Sequence, residues 1–225
     1  MKLMKIHPSA YSLILAAALS AGMISSAHAE APMVTDDAGT LDKGGKKIEG
    51  GFTKIDKERV VSLGFGISPI ENVELGATIA HLRDNSIPAS GNTTVLSAKW
   101  IPYKNGSLSA GLKLEWARAS SQGVSDTATT VTGLATWRIE KGPVFHANLG
   151  RTSSDGADST NWALGFELPV AEKVQLTAEA YGSTGNSPGK QIGARWEVQQ
   201  GLKVSAAVGR NSGQNTFYTG FSWEF

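Results

Sequence analysis

From Lys46 to Phe225, apolar and polar residues alternate with period two in runs of about ten residues separated by turn residues. In Leu202-Lys203-Val204-Ser205-Ala206-Ala207-Val208 and in Trp162-Ala163-Leu164-Gly165-Phe166-Glu167-Leu168 the even positions are apolar, and the odd positions are small, polar or charged. Leu108, Ala110, Leu112, Leu114 and Trp116 alternate in the same way with Ser109, Gly111, Lys113 and Glu115. Successive side chains of a strand point to opposite faces, so this pattern predicts strands with one greasy and one polar side. Twelve such runs are present, at about 46–55, 58–68, 72–83, 92–101, 107–118, 127–139, 143–152, 159–168, 173–182, 189–199, 201–211 and 214–225. A tilted strand crosses a bilayer in about 9–11 residues. The predicted fold is therefore all-β, a transmembrane antiparallel up-and-down β-barrel of about twelve strands over residues 46–225. Short connections such as Pro169-Val170-Ala171-Glu172 and Gln199-Gln200-Gly201 are expected on one side. Longer Ser-, Asp- and Gly-rich loops such as residues 153–158 are expected on the other, as in bacterial outer-membrane barrels. An even strand count puts both chain ends on the periplasmic side.

Alternation alone also suits a soluble sandwich, and the placement of the large aromatics and the charges separates the two. Trp100, Trp116, Trp137, Trp162, Trp196 and Trp223 all fall on the apolar face and towards strand ends, as does Phe225. An indole has an apolar body and one N–H, which suits a lipid–water boundary, so these residues are the expected interface girdle. The opposite face carries Glu74, Lys99, Lys113, Glu115, Arg138, His146, Glu167, Glu179, Arg195, Glu197, Lys203 and Glu224. Each unpaired charge in a dry core costs several kcal/mol, so this set is expected to line a wet lumen. Closure follows because an open edge in hydrocarbon leaves backbone groups unsatisfied. The first and last strands are thus expected to pair.

The chain has 225 residues, no cysteine and a formal charge of +1. Without cysteine there is no disulfide framework and no thiolate metal site. Residues 1–29 combine Lys2 and Lys5, a short apolar centre at Leu13–Leu19 and the small-residue signal Ala27-His28-Ala29, which predicts a signal peptide cleaved after Ala29. Removal of Lys2 and Lys5 leaves 19 bases against 20 acids, so nucleic acid is not an expected partner. Residues 30–45 show no period and are read as an extended periplasmic lead-in. The expected location is the bacterial outer membrane, in contact with lipid and lipopolysaccharide. The terminal run Phe217, Thr219, Phe221, Trp223 and Phe225 is similar to the last strand that barrel-insertion machinery reads in such proteins.

The stretch Pro32-Met33-Val34-Thr35-Asp36-Asp37-Ala38-Gly39-Thr40, followed by Lys43-Gly44-Gly45, resembles the opening of an outer-membrane family named for the meta-cleavage pathway of phenol degradation. The matching positions are Pro32, Thr35, Asp36, Asp37, Gly39 and Thr40. The resemblance implies a barrel that transports small, including aromatic, compounds.

Asp36-Asp37 has the chemistry for a cation site or a lumen plug, but Asp caps turns and Gly39 permits one, so a hydrogen-bonded turn at the barrel mouth is the expected reading. Only His81 and His146 remain after the leader, and neither has a serine two residues away to share its strand face. A general base needs hydrogen-bond reach to its nucleophile, so no enzyme and no catalytic residue is expected. Asp155 and Asp158 are read as a solvated loop rather than a cation site. No cofactor and no metal ligand is assigned. The expected function is a channel for passive passage of a small-molecule solute. The alternative is a closed structural or binding barrel.

Overall fold

The computed structural model describes residues 31–85, 89–154 and 157–225; the leader and its cleavage signal lie outside the described residues. Twelve strands follow in order: β1 (Lys46–Ile55), β2 (Glu58–Ile70), β3 (Val73–Asp84), β4 (Ala89–Asn105), β5 (Leu108–Ser121), β6 (Val124–Arg138), β7 (Val144–Ser154), β8 (Ala157–Ala171), β9 (Val174–Ser183), β10 (Gly189–Gln199), β11 (Leu202–Asn211) and β12 (Gln214–Glu224). Each strand pairs with its neighbours in sequence, and β1 pairs antiparallel with β12, so the sheet closes on itself. The seam extends to the chain end, where Lys46 and Phe225 exchange backbone hydrogen bonds of 2.8 and 2.9 Å. Closure removes the edge that an open sheet would leave unpaired.

The register sorts side chains as period two demands. Leu112, Leu164, Leu176 and Val204 point out of the barrel, and Leu164 is 58% exposed. Lys113, Glu167 and Glu179 on β5, β8 and β9, with Lys99 on β4 and Arg195 on β10, point in and are buried. The outer surface is a band of Leu, Val, Ile and Phe, with rings in contact near the end that holds Lys46 and Phe225. There Trp137 stacks on Phe145 at 5.7 Å, Phe145 meets Phe166 at 5.3 Å, and Trp223 meets Phe225 at 4.9 Å. This is the terminal end of the barrel, and the opposite one is the far end.

Two expectations about the connections are corrected. Residues 102–105 and 119–121 belong to β4 and β5, residues 124–126 to β6, and the stretch read as a loop at 153–158 is mostly strand in β7 and β8. Among the described far-end connections, residues 56–57, 122–123 and 212–213 are two-residue links as short as the terminal ones at 71–72, 106–107 and 172–173. Gln122 (φ 49°) and Gly123 (φ 84°) are both left-handed, as are Ser212 (φ 48°) and Gly213 (φ 84°). Two successive positive φ values give the turn whose twist matches paired strands, which lets the ladder run to its tip. Trp116 and Trp162 therefore lie well inside their strands, with residues 117–121 and 157–161 continuing beyond them.

The lead-in is also corrected. Residues 31–45 do not stay outside the barrel mouth. From β1 they turn back into the lumen, run against the inner wall, and reach the inward faces of β9 and β10.

Candidate functional site: the lumen and the segment within it

The segment is held by side chains that the strand register delivers to one space. At its start, the Arg195 Nε donates to the Ala31 carbonyl (2.7 Å) and the Gln191 amide to the Pro32 carbonyl (2.5 Å). The Glu179 carboxylate accepts from the Val34 N–H (2.7 Å), the Thr35 N–H (2.7 Å) and the Thr35 hydroxyl (2.6 Å). Asn148 bonds Asp36 twice, accepting from its N–H at 2.6 Å and donating to its carbonyl at 2.8 Å. Nearer the terminal end, the Ala38 N–H donates to the Thr136 hydroxyl (2.7 Å) and the Leu41 N–H to Glu74 (3.1 Å). A segment without secondary structure must satisfy its amides somewhere, and here the wall supplies the acceptors. Packing follows the same path. Ala38 sits against Ile101 and Leu134, and a Cβ at Gly165 would touch Thr35 at 3.0 Å.

Charge fixes the middle of the segment. The Lys99 ammonium lies 2.8 Å from Asp36 Oδ1 and 3.1 Å from Asp37 Oδ1, and the Lys113 ammonium lies 2.9 Å from Asp36 Oδ2. Arg138 approaches Asp37 at 3.7 Å. Asp36 is thus an interior counter-ion rather than the turn residue expected at the mouth. A buried lysine needs such a partner because desolvating an unpaired ammonium costs several kcal/mol.

The inward residues expected from the sequence fall into three groups. Glu74, Lys99 and Lys113, with Glu115 at 3.1 Å from Lys113, form one charged wall on β3, β4 and β5. Lys47 and Glu49 of β1 belong to it too, at 3.3 Å from each other and with Lys47 3.5 Å from Glu74. The inward turn of that pair was missed, although its i, i+2 spacing opposite Ile48 carries the signal. A second wall joins His146, Glu167, Glu179 and Arg195: Glu167 accepts from Arg195 at 3.2 Å and lies 3.5 Å from His146, and Gln175 accepts from Arg195 at 2.8 Å. Arg138, Glu197, Lys203 and Glu224 form the third group, partly or fully exposed towards the terminal end, with Lys203 and Glu224 at 3.6 Å.

His146 does meet a hydroxyl, that of Thr136 across the β6–β7 pair, at 2.9 Å. Thr136 is wholly buried and already accepts from Ala38, so its oxygen is covered by the segment. His81 lies exposed on β3 and meets Asn92 at 2.9 Å. Asp158 pairs with Arg151 at 2.8 Å, and Asp155 lies outside the described residues.

Beyond the start of the segment, towards the far end, the lumen opens into a cavity of about 330 Å³. Pro32 and Val34 form its floor, Tyr181, Tyr218 and Glu49 part of its wall, and Asn186 and Ser212 its rim. Glycines make room for the two rings. A Cβ at Gly189 would meet the Tyr181 ring at 2.5 Å, and one at Gly220 would collide with the Tyr218 hydroxyl.

The profile of the family described as "Uncharacterised conserved protein UCP029691" matches residues 15–218. The chain belongs to this family. No curated protein matches this UCP029691 member in sequence. Solved structures do match it in fold. The COG4313 outer membrane channel from Pseudomonas putida F1 superposes with a TM-score of 0.65 at 7% identity, covering 84% of this chain and 98% of that one. The KdgM porin in complex with disordered oligogalacturonate gives 0.64 at 12% identity, covering 80% and 99%. The NanC porin gives 0.55 at 9% identity, covering 79% and 98%. At these identities the likeness shows a shared barrel architecture.

Proposed function

We propose that this UCP029691 member is an outer-membrane channel for small solutes, with residues 31–45 standing in its passage. The observation that carries the reading is the division of surfaces: apolar side chains cover the outside of a closed barrel, and paired charges line an interior that opens into a cavity of about 330 Å³. Such an exterior is stable in lipid, and a closed ladder is one of two backbone solutions that hydrocarbon tolerates. The terminal end faces the periplasm and the far end the outside. Export by a cleaved leader, contact with lipid and lipopolysaccharide, and recognition of the Phe225 end by insertion machinery belong to the same reading, as does the absence of an enzymatic role. The channel and porin folds of its structural neighbours support it. The Pro32–Thr40 motif supports aromatic compounds among the solutes, as does a cavity bordered by two tyrosine rings.

A second reading, a closed binding barrel, is favoured by the segment itself, whose contacts run from Ala31 at mid-lumen to Leu41 near the terminal end. Planar-bilayer recordings separate the two. The channel reading expects discrete conductance from the full chain and a larger, less intermittent one from a variant lacking residues 33–43. Electrical silence from both, with no swelling of liposomes in small solutes, leaves the closed barrel.

A further inference from the structure

We infer that Lys99 and Lys113 form a binding site for the carboxylate of a small anionic solute, and that Asp36 is the chain's own occupant of that site. The inference rests on the channel reading and names the chemistry of what passes.

The first argument is register. Lys99 and Lys113 are direct partners in the β4–β5 ladder, both facing the lumen. Like charges directly opposite each other in an antiparallel pair repel, and burial adds a desolvation penalty to each. Glu74, the direct partner of Lys99 on its other side, also lies 3.5 Å from Lys47 and accepts from the Leu41 N–H, so its charge is shared. Glu115 lies 3.1 Å from Lys113. The wall thus sets two ammonium groups side by side, at a spacing that one carboxylate can bridge with both its oxygens.

The second argument is the observed occupant. Asp36 does bridge them, one oxygen at 2.8 Å from Lys99 and the other at 2.9 Å from Lys113. Both lysine side chains are at least nine-tenths buried. The Lys99 contact is a charge-assisted hydrogen bond of the strong kind and the Lys113 contact a close ion pair, and together they report what the site takes.

The third argument is that the occupant is removable. Asp36 arrives on a segment that lies outside the strands and makes backbone hydrogen bonds to β2 at Gly44 and Gly45, opposite Ser68, just before β1. Its further ties, to Asn148, Thr136 and Glu179, are to side chains whose hydrogen bonds water can replace. A solute entering from the far end meets the cavity floor at Pro32–Val34, close in sequence to Asp36. Beyond the pair, on the terminal side, Arg138 offers the next cation, 44% exposed in its side chain. A tethered carboxylate competes at an effective concentration of the order of millimolar. The intact chain is therefore expected to hide most of the site's affinity.

The test uses the refolded full chain in detergent and three forms: wild type, Asp36→Asn/Asp37→Asn, and the latter with Lys99→Met/Lys113→Met added. Calorimetric titration with sodium benzoate is compared with benzamide, which has the same shape and no charge. The expected result is benzoate binding at least tenfold tighter in the Asn/Asn form than in wild type, little response to benzamide, and loss of benzoate binding with the Met pair. Binding no tighter in the Asn/Asn form, or undiminished by the Met pair, overturns the inference. The single isosteric variant Asp36→Asn carries the same expectation and serves if the double variant does not refold. Bilayer recordings on the same samples keep the two readings apart. Lysine-dependent benzoate binding with silent bilayers sinks the channel and leaves the site. Conductance that benzoate neither slows nor accompanies with binding sinks the site and leaves the channel.

Discussion

Lys99 and Lys113 face each other across the β4–β5 ladder, and a single carboxylate from outside the sheet lies within 2.9 Å of both. The luminal segment thus adds a carboxylate between two lysines of the wall, one of which, Lys113, also meets Glu115. Removing that carboxylate tests how the segment is held. Hydrogen bonds to charged groups are worth about 1.5–3 kcal/mol each, so Asp36→Ala is expected to weaken docking of residues 31–41 by at least about tenfold. Limited proteolysis of the folded barrel reads this directly, as faster cleavage within the segment while the barrel itself stays resistant. Unchanged cleavage means that Asn148, Thr136 and Glu179 hold the segment without the ion pairs.

Glu179 holds the other end, and its loss has a local signature. Its carboxylate takes the Val34 and Thr35 amides and the Thr35 hydroxyl, whereas Ala38 donates to Thr136. Glu179→Ala is expected to raise amide exchange at Val34 and Thr35 by about tenfold or more, from the same hydrogen-bond energies, and to leave Ala38 protected. Equal acceleration at all three amides means that the segment docks and leaves as one unit.

The two halves of this structure differ in how far the sequence discloses them. Strand order and facing were legible because period two is a local signal: Leu164 and Glu167 declare opposite faces within one turn of the pleat. Strand ends were less legible, because beyond the apolar band both faces turn polar. Ser120-Ser121-Gln122-Gly123 then reads as a loop although the ladder runs through to Ser121. The segment was read as outside the lumen for a different reason. It has no period of its own, and its partners lie far away in sequence, Lys99 being 63 residues from Asp36 and Arg195 164 residues from Ala31.

The outer face carries its own prediction. Leu164 lies in the middle part of β8, 58% exposed, opposite Ala147 and Ala180. An arginine on the lipid face near the midplane costs about 2–4 kcal/mol. Leu164→Arg is therefore expected to lower the urea midpoint of barrel folding in lipid vesicles, whereas Leu164→Phe leaves it nearly unchanged. Equal midpoints would mean that this face does not meet hydrocarbon.

The kink that seats the segment offers the last test. Between Trp100 and Tyr103 the β4–β5 register slips, and there Ile101, on the same inward face as Lys99, is fully buried with Ala38 and Leu134. Across the pair stands Gly111, where a Cβ would collide with the Trp100 carbonyl oxygen and come within 2.6 Å of the Ile101 methyl. Backbone cannot yield as a flexible side chain does, so Gly111→Ala must push β4 outward or force Ile101 from its rotamer. Overpacking of this kind costs about 1–3 kcal/mol. Because the displaced residue is the one that Ala38 rests on, the damage reaches the segment as well as the wall. Gly111→Ala is expected to lower the unfolding midpoint and also to quicken proteolysis of residues 38–45. A variant that loses stability while its segment remains fully protected would show that the Ile101 contact does not help to hold the segment in place.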